Sequence, residues 1–283
     1  MKLKLTRWDP STIKPTSTIL LIGRRGTGKS TLMRDLASHF ARQGTIDLAI
    51  GMSPTEESSE SMGSFLNPEL IYNDYREDVI VNLMAMQKRQ WKRGHGSHVQ
   101  LYLDDVCYDK QILRTKTMRE LFMNGRHRRL GLVLCMQYCM DMPPDLRSNV
   151  DIVIAARDSI HSSRSKLHTN FFGFFKSYDE FSVTMDATTN NYEVLVLHNN
   201  KGSPSNDIED CVHWYRGNPD LGPFKLGRSA FDVLHSRYYR DREEEFEAAE
   251  ARRLEEEMRR KRGASKIEVV AKADPSGRTI VGR

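Results

Sequence analysis

The sequence predicts an α/β fold, a mostly parallel central sheet flanked by helices, and three observations predict it. Short apolar runs alternate with helical patterns from residue 17 to about residue 235, as strands buried between two helical layers require. The first run, Thr16–Ile22, passes through a glycine-rich loop straight into a helical pattern, Lys29–Gln43. A chain of 283 residues is long enough to bury one such core and still carry an appendage.

The elements follow in order. Residues 1–16 form a short polar lead containing Pro10 and Pro15, ahead of an α/β domain over 17–235. After strand Thr16–Ile22 comes helix Lys29–Gln43, stopped by Gly44, and a second strand, Ile46–Gly51, closed by a turn at Ser53-Pro54. Asn67–Tyr72 reads as a connector, and Val79 to about Arg93 as a helix ended by Gly94 and Gly96, since glycine terminates helices readily. Val99–Leu103 is the third strand, Lys110–Asn124 a helix and Gly131–Gln137 the fourth strand. Pro143-Pro144 opens a short helical segment before a fifth strand, Val150–Ala155. An aromatic-rich stretch, Phe171–Phe181, and a late strand, Tyr192–His198, complete the domain.

From Arg240 to Arg262 the composition turns to Glu, Arg and Ala. Pairs such as Glu255–Arg259 and Glu256–Arg260 predict a solvated charged helix within an extension over 236–262, because oppositely charged residues four apart meet on a helix surface. Residues 263–283 are polar and read as a flexible tail.

Composition narrows the function classes. Charged residues make up 29% of the chain and mean hydropathy is −0.58, which predicts a soluble protein. The longest apolar runs, such as Ser17–Ile22 and Leu130–Met136, are too short to cross a bilayer, and residues 1–8 have no apolar core of a signal peptide. Four cysteines, Cys107, Cys135, Cys139 and Cys211, are too few and scattered for a disulfide framework. Cys135 and Cys139 lack the second ligand pair of a zinc site, and the four read as reduced thiols. The net charge of +5 is too small to identify a partner by itself.

The segment Gly23-Arg24-Arg25-Gly26-Thr27-Gly28-Lys29-Ser30 matches G-x-x-x-x-G-K-[ST] in full, with Thr31 following. Each residue type has a physical reason. Glycines let the backbone turn its N–H groups onto phosphate oxygens, and the helix starting at Lys29 adds its positive end. Lys29 reaches the β- and γ-phosphates, and the Ser30 hydroxyl ligates Mg2+. ATP with Mg2+ is the expected cofactor.

Two further strand ends carry chemistry. His98–Leu103 runs into Asp104-Asp105 about seventy-five residues after the loop. A strand parallel to and beside the loop strand would bring Asp104 to the metal and aim Asp105 at the γ-phosphate, where a carboxylate orients or deprotonates water. Leu132–Met136 ends in Gln137, whose amide can bond both the γ-phosphate and the attacking water, or simply cap a strand at the surface.

Together the segments Ile19–Leu32, Leu101–Val106, Asn124-Gly125-Arg126-His127, Leu132–Gln137 and Pro143–Asp151 resemble the DNA-packaging ATPases of nucleocytoplasmic large DNA viruses, in the FtsK–HerA clade of P-loop motors. Tyr192–His198 and Val212–Tyr215 extend the resemblance, which covers roughly residues 8–217. The glycine loop is generic. Asn-Gly-Arg-His leading to the Gln-tipped strand, then Pro-Pro-x-x-Arg-x-Asn-x-Asp, is far more specific. The resemblance implies a RecA-like P-loop NTPase fold, a ring-shaped homo-oligomer of five or six subunits, and translocation of double-stranded DNA into a capsid. It implies a role for Gln137 in sensing nucleotide, and an arginine acting in trans, with Arg126, Arg129 and Arg147 as candidates. It further implies capsid or membrane-associated viral proteins as partners, and a location in the host cytoplasm, a viral factory or the virion. One departure is Asp105, where many clade members carry glutamate.

Positive charge concentrates in Lys88–Arg93 and in Arg114–Arg129, as a sequence-independent grip on phosphates requires; a solvated helix face would look the same. Trp91 offers a face on which a base could stack, but packing in the core is its expected fate. Two alternatives stay open: a kinase with Arg157 and Arg164 on a lid, and an assembly protein that binds ATP without turning it over. A GTPase is disfavoured, because Asn199–Ser203 lacks the aspartate that reads guanine after an Asn-Lys pair.

Overall fold

The computed structural model describes residues 3–138, 142–199, 207–238, 251–259, 272–273, 276–277 and 279–280. In chain order the elements are β1 (Thr18–Ile22), α1 (Lys29–Gln43), β2 (Leu48–Met52), α2 (Glu56–Gly63), β3 (Ile71–Tyr72), α3 (Glu77–Lys92), β4 (Val99–Asp104) and α4 (Lys116–Asn124). There follow β5 (Leu130–Met136), α5 (Pro144–Arg147), β6 (Ile152–Ala155), α6 (His161–Asn170), α7 (Tyr178–Thr188), β7 (Glu193–His198), α8 (Ile208–Cys211), β8 (Val212–Arg216) and α9 (Ser229–Tyr238).

Eight strands form one sheet in the order β3-β2-β4-β5-β1-β6-β7-β8. From β3 to β6 every pairing is parallel, and β7 and β8 add antiparallel to one edge. The predicted fold class is met. Every residue of β1, β4 and β5 is buried, which is why these strands read as unbroken apolar runs rather than alternating ones. Leu20, Leu101, Leu132 and Val153 face a core shared with α3, α4, α6 and α7. Ile19, Tyr102, Val133 and Ile154 face the opposite core, closed by Leu32, Met33, Leu36 and Phe40 of α1. The lead chain caps the β8 edge, with Trp8 N donating to Trp214 O at 2.9 Å and Trp214 N to Thr6 O at 3.2 Å.

The strand order corrects one expectation. The acid-tipped strand β4 is parallel to the loop strand β1 but not beside it; the Gln-tipped β5 lies between them. The helix expected from Lys110 begins only at Lys116, because Thr115 is extended and its hydroxyl accepts from Met118 N at 3.2 Å as an N-cap. Helices α2, α6 and α7 were not anticipated. For α7 a signal existed: the Ser177 hydroxyl accepts from Glu180 N at 3.2 Å, and Ser-x-x-Glu marks a helix start. Trp91 is 57% exposed rather than in the core. It sits under the Arg129 guanidinium, 5.4 Å from its ring centre, because the end of α3 packs against the turn before β5 and leaves that indole face outward.

Close packing in β5 gives a stability test. A methyl group on Gly131 would lie 2.3 Å from Pro15 O and 2.6 Å from Gln100 Oε1. Gly131→Ala should therefore cost about 1–3 kcal/mol and lower the melting temperature by roughly 3–10 °C. An unchanged melting curve would refute this packing.

The chain divides into two compact units, Met1–His235 and Ser236–Arg283. Within the second, residues 251–259 are helical, and Lys272–Ala273 pairs antiparallel with Thr279–Ile280 in the stretch read as a tail. The rest of the expected charged extension, residues 239–250 and 260–262, lies outside the described residues. No described helix is long and apolar enough to cross a membrane.

Candidate active site

The loop between β1 and α1 takes the shape its glycines permit. Gly26 and Gly28 adopt φ of 78° and 85°, the left-handed region where a side chain is strained. At Gly23 a Cβ would fall 2.5 Å from Thr27 Oγ1, which itself donates to Arg24 O at 2.7 Å. Lys29 Nζ reaches back over the loop to donate to Gly23 O at 2.8 Å and Arg24 O at 3.3 Å. The Ser30 and Thr31 side chains begin α1 beside it.

A cavity of about 660 Å³ opens above α1 and brings Lys29, Ser30, Thr31, Asp104, Asp105 and Gln137 together. Arg25, Gly26 and Gly28 also line it, whereas Arg24 and Thr27 face a neighbouring cavity of about 380 Å³ with Arg157. Asp104 thus lies on the Lys29 side of the sheet although a strand intervenes. It is 2% exposed, and among the described residues its Oδ1 has no hydrogen-bond partner. Burial pushes its carboxyl above the usual range and the nearby Asp105 charge adds to this, while Ser58 and Lys29 pull it down. A buried oxygen without a donor fits a cation ligand, so Ser30 and Asp104 suit Mg2+. Among the described residues no group of three or more His, Cys, Asp or Glu could hold a metal, and an ion here would rely on phosphate oxygens as well.

Asp105 has φ of 52°, a left-handed conformation that aspartate tolerates better than most residues. Its Oδ2 accepts from Gln137 Nε2 at 3.1 Å. The two residues were predicted separately; their direct contact follows from β5 lying next to β4. Cys107 and Cys135 adjoin this corner. Burial, with Asp105 second, pushes the Cys107 thiol up to about 12, and burial, then Asp104, holds the Cys135 thiol well above its ordinary value. Both stay protonated thiols, and neither Cys107 nor Cys135 is in a disulfide; Cys139 lies outside the described residues.

None of the three candidate arginines lines this cavity. Arg126 and Arg129 flank the turn ahead of β5, at the end of the sheet opposite the glycine loop. Arg129 is engaged there, donating to Gly96 O and covering Trp91. Arg126 is exposed and Arg147 half-buried, and among the described residues neither guanidinium has a hydrogen-bond or ion-pair partner. Several cavity residues escaped sequence reading. Ser58 lies on the unanticipated α2, and Arg25 Nη2 meets Glu57 Oε2 of that helix at 3.2 Å. Tyr192, Arg216, Gly217 and Pro219 reach the cavity from the start of β7 and the end of β8, segments that carried the family resemblance without pointing to the site.

A parallel sheet with a glycine-rich phosphate loop at the end of β1, and acids and an amide on the next two strands, defines a P-loop NTPase of RecA-like fold. No family model matches the chain. It is 33% identical over 215 residues to protein 088R of Invertebrate iridescent virus 3, spanning 75% of this chain and 80% of that one. It is 27% identical over 248 residues to protein L437 of Acanthamoeba polyphaga mimivirus, spanning 84% and 85%. Among solved structures, the genome packaging NTPase B204 from Sulfolobus turreted icosahedral virus 2, in complex with AMPPCP, matches with a TM-score of 0.53. That match has 18% identity and spans 73% of this chain and all of the other. The chain belongs to the family of protein 088R of Invertebrate iridescent virus 3, and it shares its fold with the packaging NTPase B204.

Proposed function

We propose that the chain is an ATP-hydrolysing motor that moves double-stranded DNA, packaging a viral genome into a capsid. The observation that carries this reading is the convergence of Lys29, Ser30, Asp104, Asp105 and Gln137 on one cavity at the head of α1. A triphosphate lying there meets the loop N–H groups and the α1 dipole. Lys29 exchanges its bonds to Gly23 O and Arg24 O for phosphate oxygens. Ser30 and Asp104 hold Mg2+, which when bound neutralises charge on those oxygens. Asp105 orients the attacking water and takes its proton, and the Gln137 amide fixes the Asp105 carboxylate through their 3.1 Å bond. The trans-acting arginine comes from a neighbouring subunit of a pentameric or hexameric ring. Arg126, exposed and unpaired among the described residues, suits that role better than the engaged Arg129, with Arg147 second.

DNA is held by phosphate contacts from Lys88–Arg93 and from the exposed Arg114 and Lys116 of the second basic segment; Arg128 is committed to Glu120 and Arg129 to Gly96 O. Capsid or membrane-associated viral proteins are the expected docking partners, and the host cytoplasm or a viral factory the expected site of action. The kinase alternative loses support from its lid. Arg164 is buried and bonded to Asp186 at 2.8 and 2.9 Å, and Arg157 is bonded to Asn190 and Asp186 at 2.7 and 3.1 Å. Of the segment weighed against a GTPase, residues 200–203 lie outside the described residues.

Two measurements test the reading. Duplex DNA should raise the rate of phosphate release from ATP by the assembled protein; a rate indifferent to DNA would overturn the motor. Asp105→Asn should keep ATP bound within about threefold and lower turnover by about 10²–10⁴, the range of a general base. Normal hydrolysis by that variant would move the base elsewhere.

A further inference from the structure

Resting on the nucleotide reading above, the geometry points to Tyr192 as the platform on which the base of the nucleotide stacks. Strand order fixes the direction of the bound molecule. The acids and the amide that serve the γ-phosphate stand on β4 and β5, to one side of β1, and β6, β7 and β8 stand to the other. The cavity runs from Asp104, Asp105 and Gln137 at the first side to Tyr192, Arg216, Gly217 and Pro219 at the second. With the γ-phosphate at the acids and the loop beneath the β-phosphate, the base falls against this second wall.

The wall is built for a flat apolar group. Tyr192 is 68% exposed, and its ring closes on the phosphate loop, with Cδ1 3.3 Å from where a Cβ of Gly28 would stand. Opposite, Gly217 comes so close to α1 that a Cβ there would meet Leu32 Cδ2 at 3.1 Å. The chain after it is tied to the same helix, Arg34 Nη2 donating to Leu221 O at 3.1 Å. The Arg216 guanidinium and the Tyr192 hydroxyl could also meet a base edge, but the Tyr192 ring is the one flat apolar surface among Tyr192, Arg216, Gly217 and Pro219. Stacking is the interaction that ring offers, and every base has a face for it.

The backbone argues that the phenol ring is used. Asn191 and Tyr192 have φ of 50° and 63°, and Glu193 N donates to Asn190 O at 2.8 Å across them. Two successive positive φ angles make a mirror-image turn, in which the second central position favours glycine. A tyrosine there stands against the backbone preference while leaving its ring in the cavity.

Titration of the full chain with ATPγS, GTPγS and inorganic tripolyphosphate, all with Mg2+, tests this. Tyr192→Gly should bind both nucleotides about tenfold more weakly, a moderate effect for loss of base stacking. It should bind tripolyphosphate as the wild type does, and melt no lower. Tyr192→Phe should match the wild type within about twofold, since a phenyl face stacks as well. Unchanged ATPγS affinity in Tyr192→Gly, or an equal loss for tripolyphosphate, overturns the platform but not the phosphate site. A wild-type chain that binds neither ATPγS nor tripolyphosphate overturns both.

Discussion

Lys29→Ala is expected to reduce ATP turnover to background and to weaken ATP binding. In the structure the ammonium group already crosses the loop to two carbonyl oxygens, Gly23 O at 2.8 Å and Arg24 O at 3.3 Å, so it is held above the loop proposed to cradle the phosphates. A triphosphate entering there would bring several negative charges into a cavity whose other fixed charges include Asp104 and Asp105. Without Lys29 those carboxylates face the phosphates with their main counter-charge removed. Loss of one preorganised donor typically costs a factor of about 10²–10³ in rate, and a charged one aimed at the transferred phosphoryl group should cost at least as much. Radiolabelled phosphate release and direct ATP titration on the purified variant are the checks. Turnover within about tenfold of the wild type would place the nucleotide somewhere else.

Turnover should also rise much faster than in proportion to protein concentration, as subunits assemble. The cavity contains an acid for water and a lysine for phosphate; Arg25 and Arg216 line it too, but Arg126, Arg129 and Arg147 do not, and an arginine supplied in trans is worth a factor of about 10³–10⁵. Arg126→Ala should therefore assemble and bind ATP but lose that factor, and Arg147→Ala should fall much less. Mixing Arg126→Ala with Lys29→Ala subunits should restore part of the activity. At each boundary where a Lys29→Ala subunit precedes an Arg126→Ala subunit, an intact site meets an intact arginine. A specific rate independent of concentration, or full activity in both arginine variants, would exclude catalysis in trans by these residues.

How much of this was legible in the sequence depended on how local each feature is. The phosphate loop lies within consecutive residues whose types follow from backbone geometry, and Gly26 and Gly28 take the positive φ angles that the motif requires. The strand ends at Asp104 and Gln137 were legible because buried parallel strands are continuous apolar runs with an abrupt polar stop. The order of those strands was not. Which strand neighbours which depends on how crossover helices pack, and nothing near Val99 or Leu130 in the chain says that β5 inserts beside β1. The Asp105–Gln137 bond followed from that order and was invisible for the same reason. Trp91 was misplaced because its apolar bulk outweighs a detail only the fold supplies, the guanidinium of Arg129 lying over its ring. Tyr192 read as the start of a strand, and the turn that aims it depends on two backbone angles no residue pattern announced. The aspartate at 105, a departure from the glutamate of many clade members, has a local reason once φ there is known to be 52°, since aspartate accepts that conformation more readily.

Strand β5 is a tie rod through the middle of the molecule. Its seven residues span roughly 23 Å at about 3.3 Å each, with Gln137 just past one end and Arg129 just before the other. Hydrogen-bonded to β1 on one side and β4 on the other, it can neither stretch nor buckle on its own. The two ends of the strand therefore move together, and any axial shift at Gln137 displaces Arg129 at the far end of the sheet by the same amount.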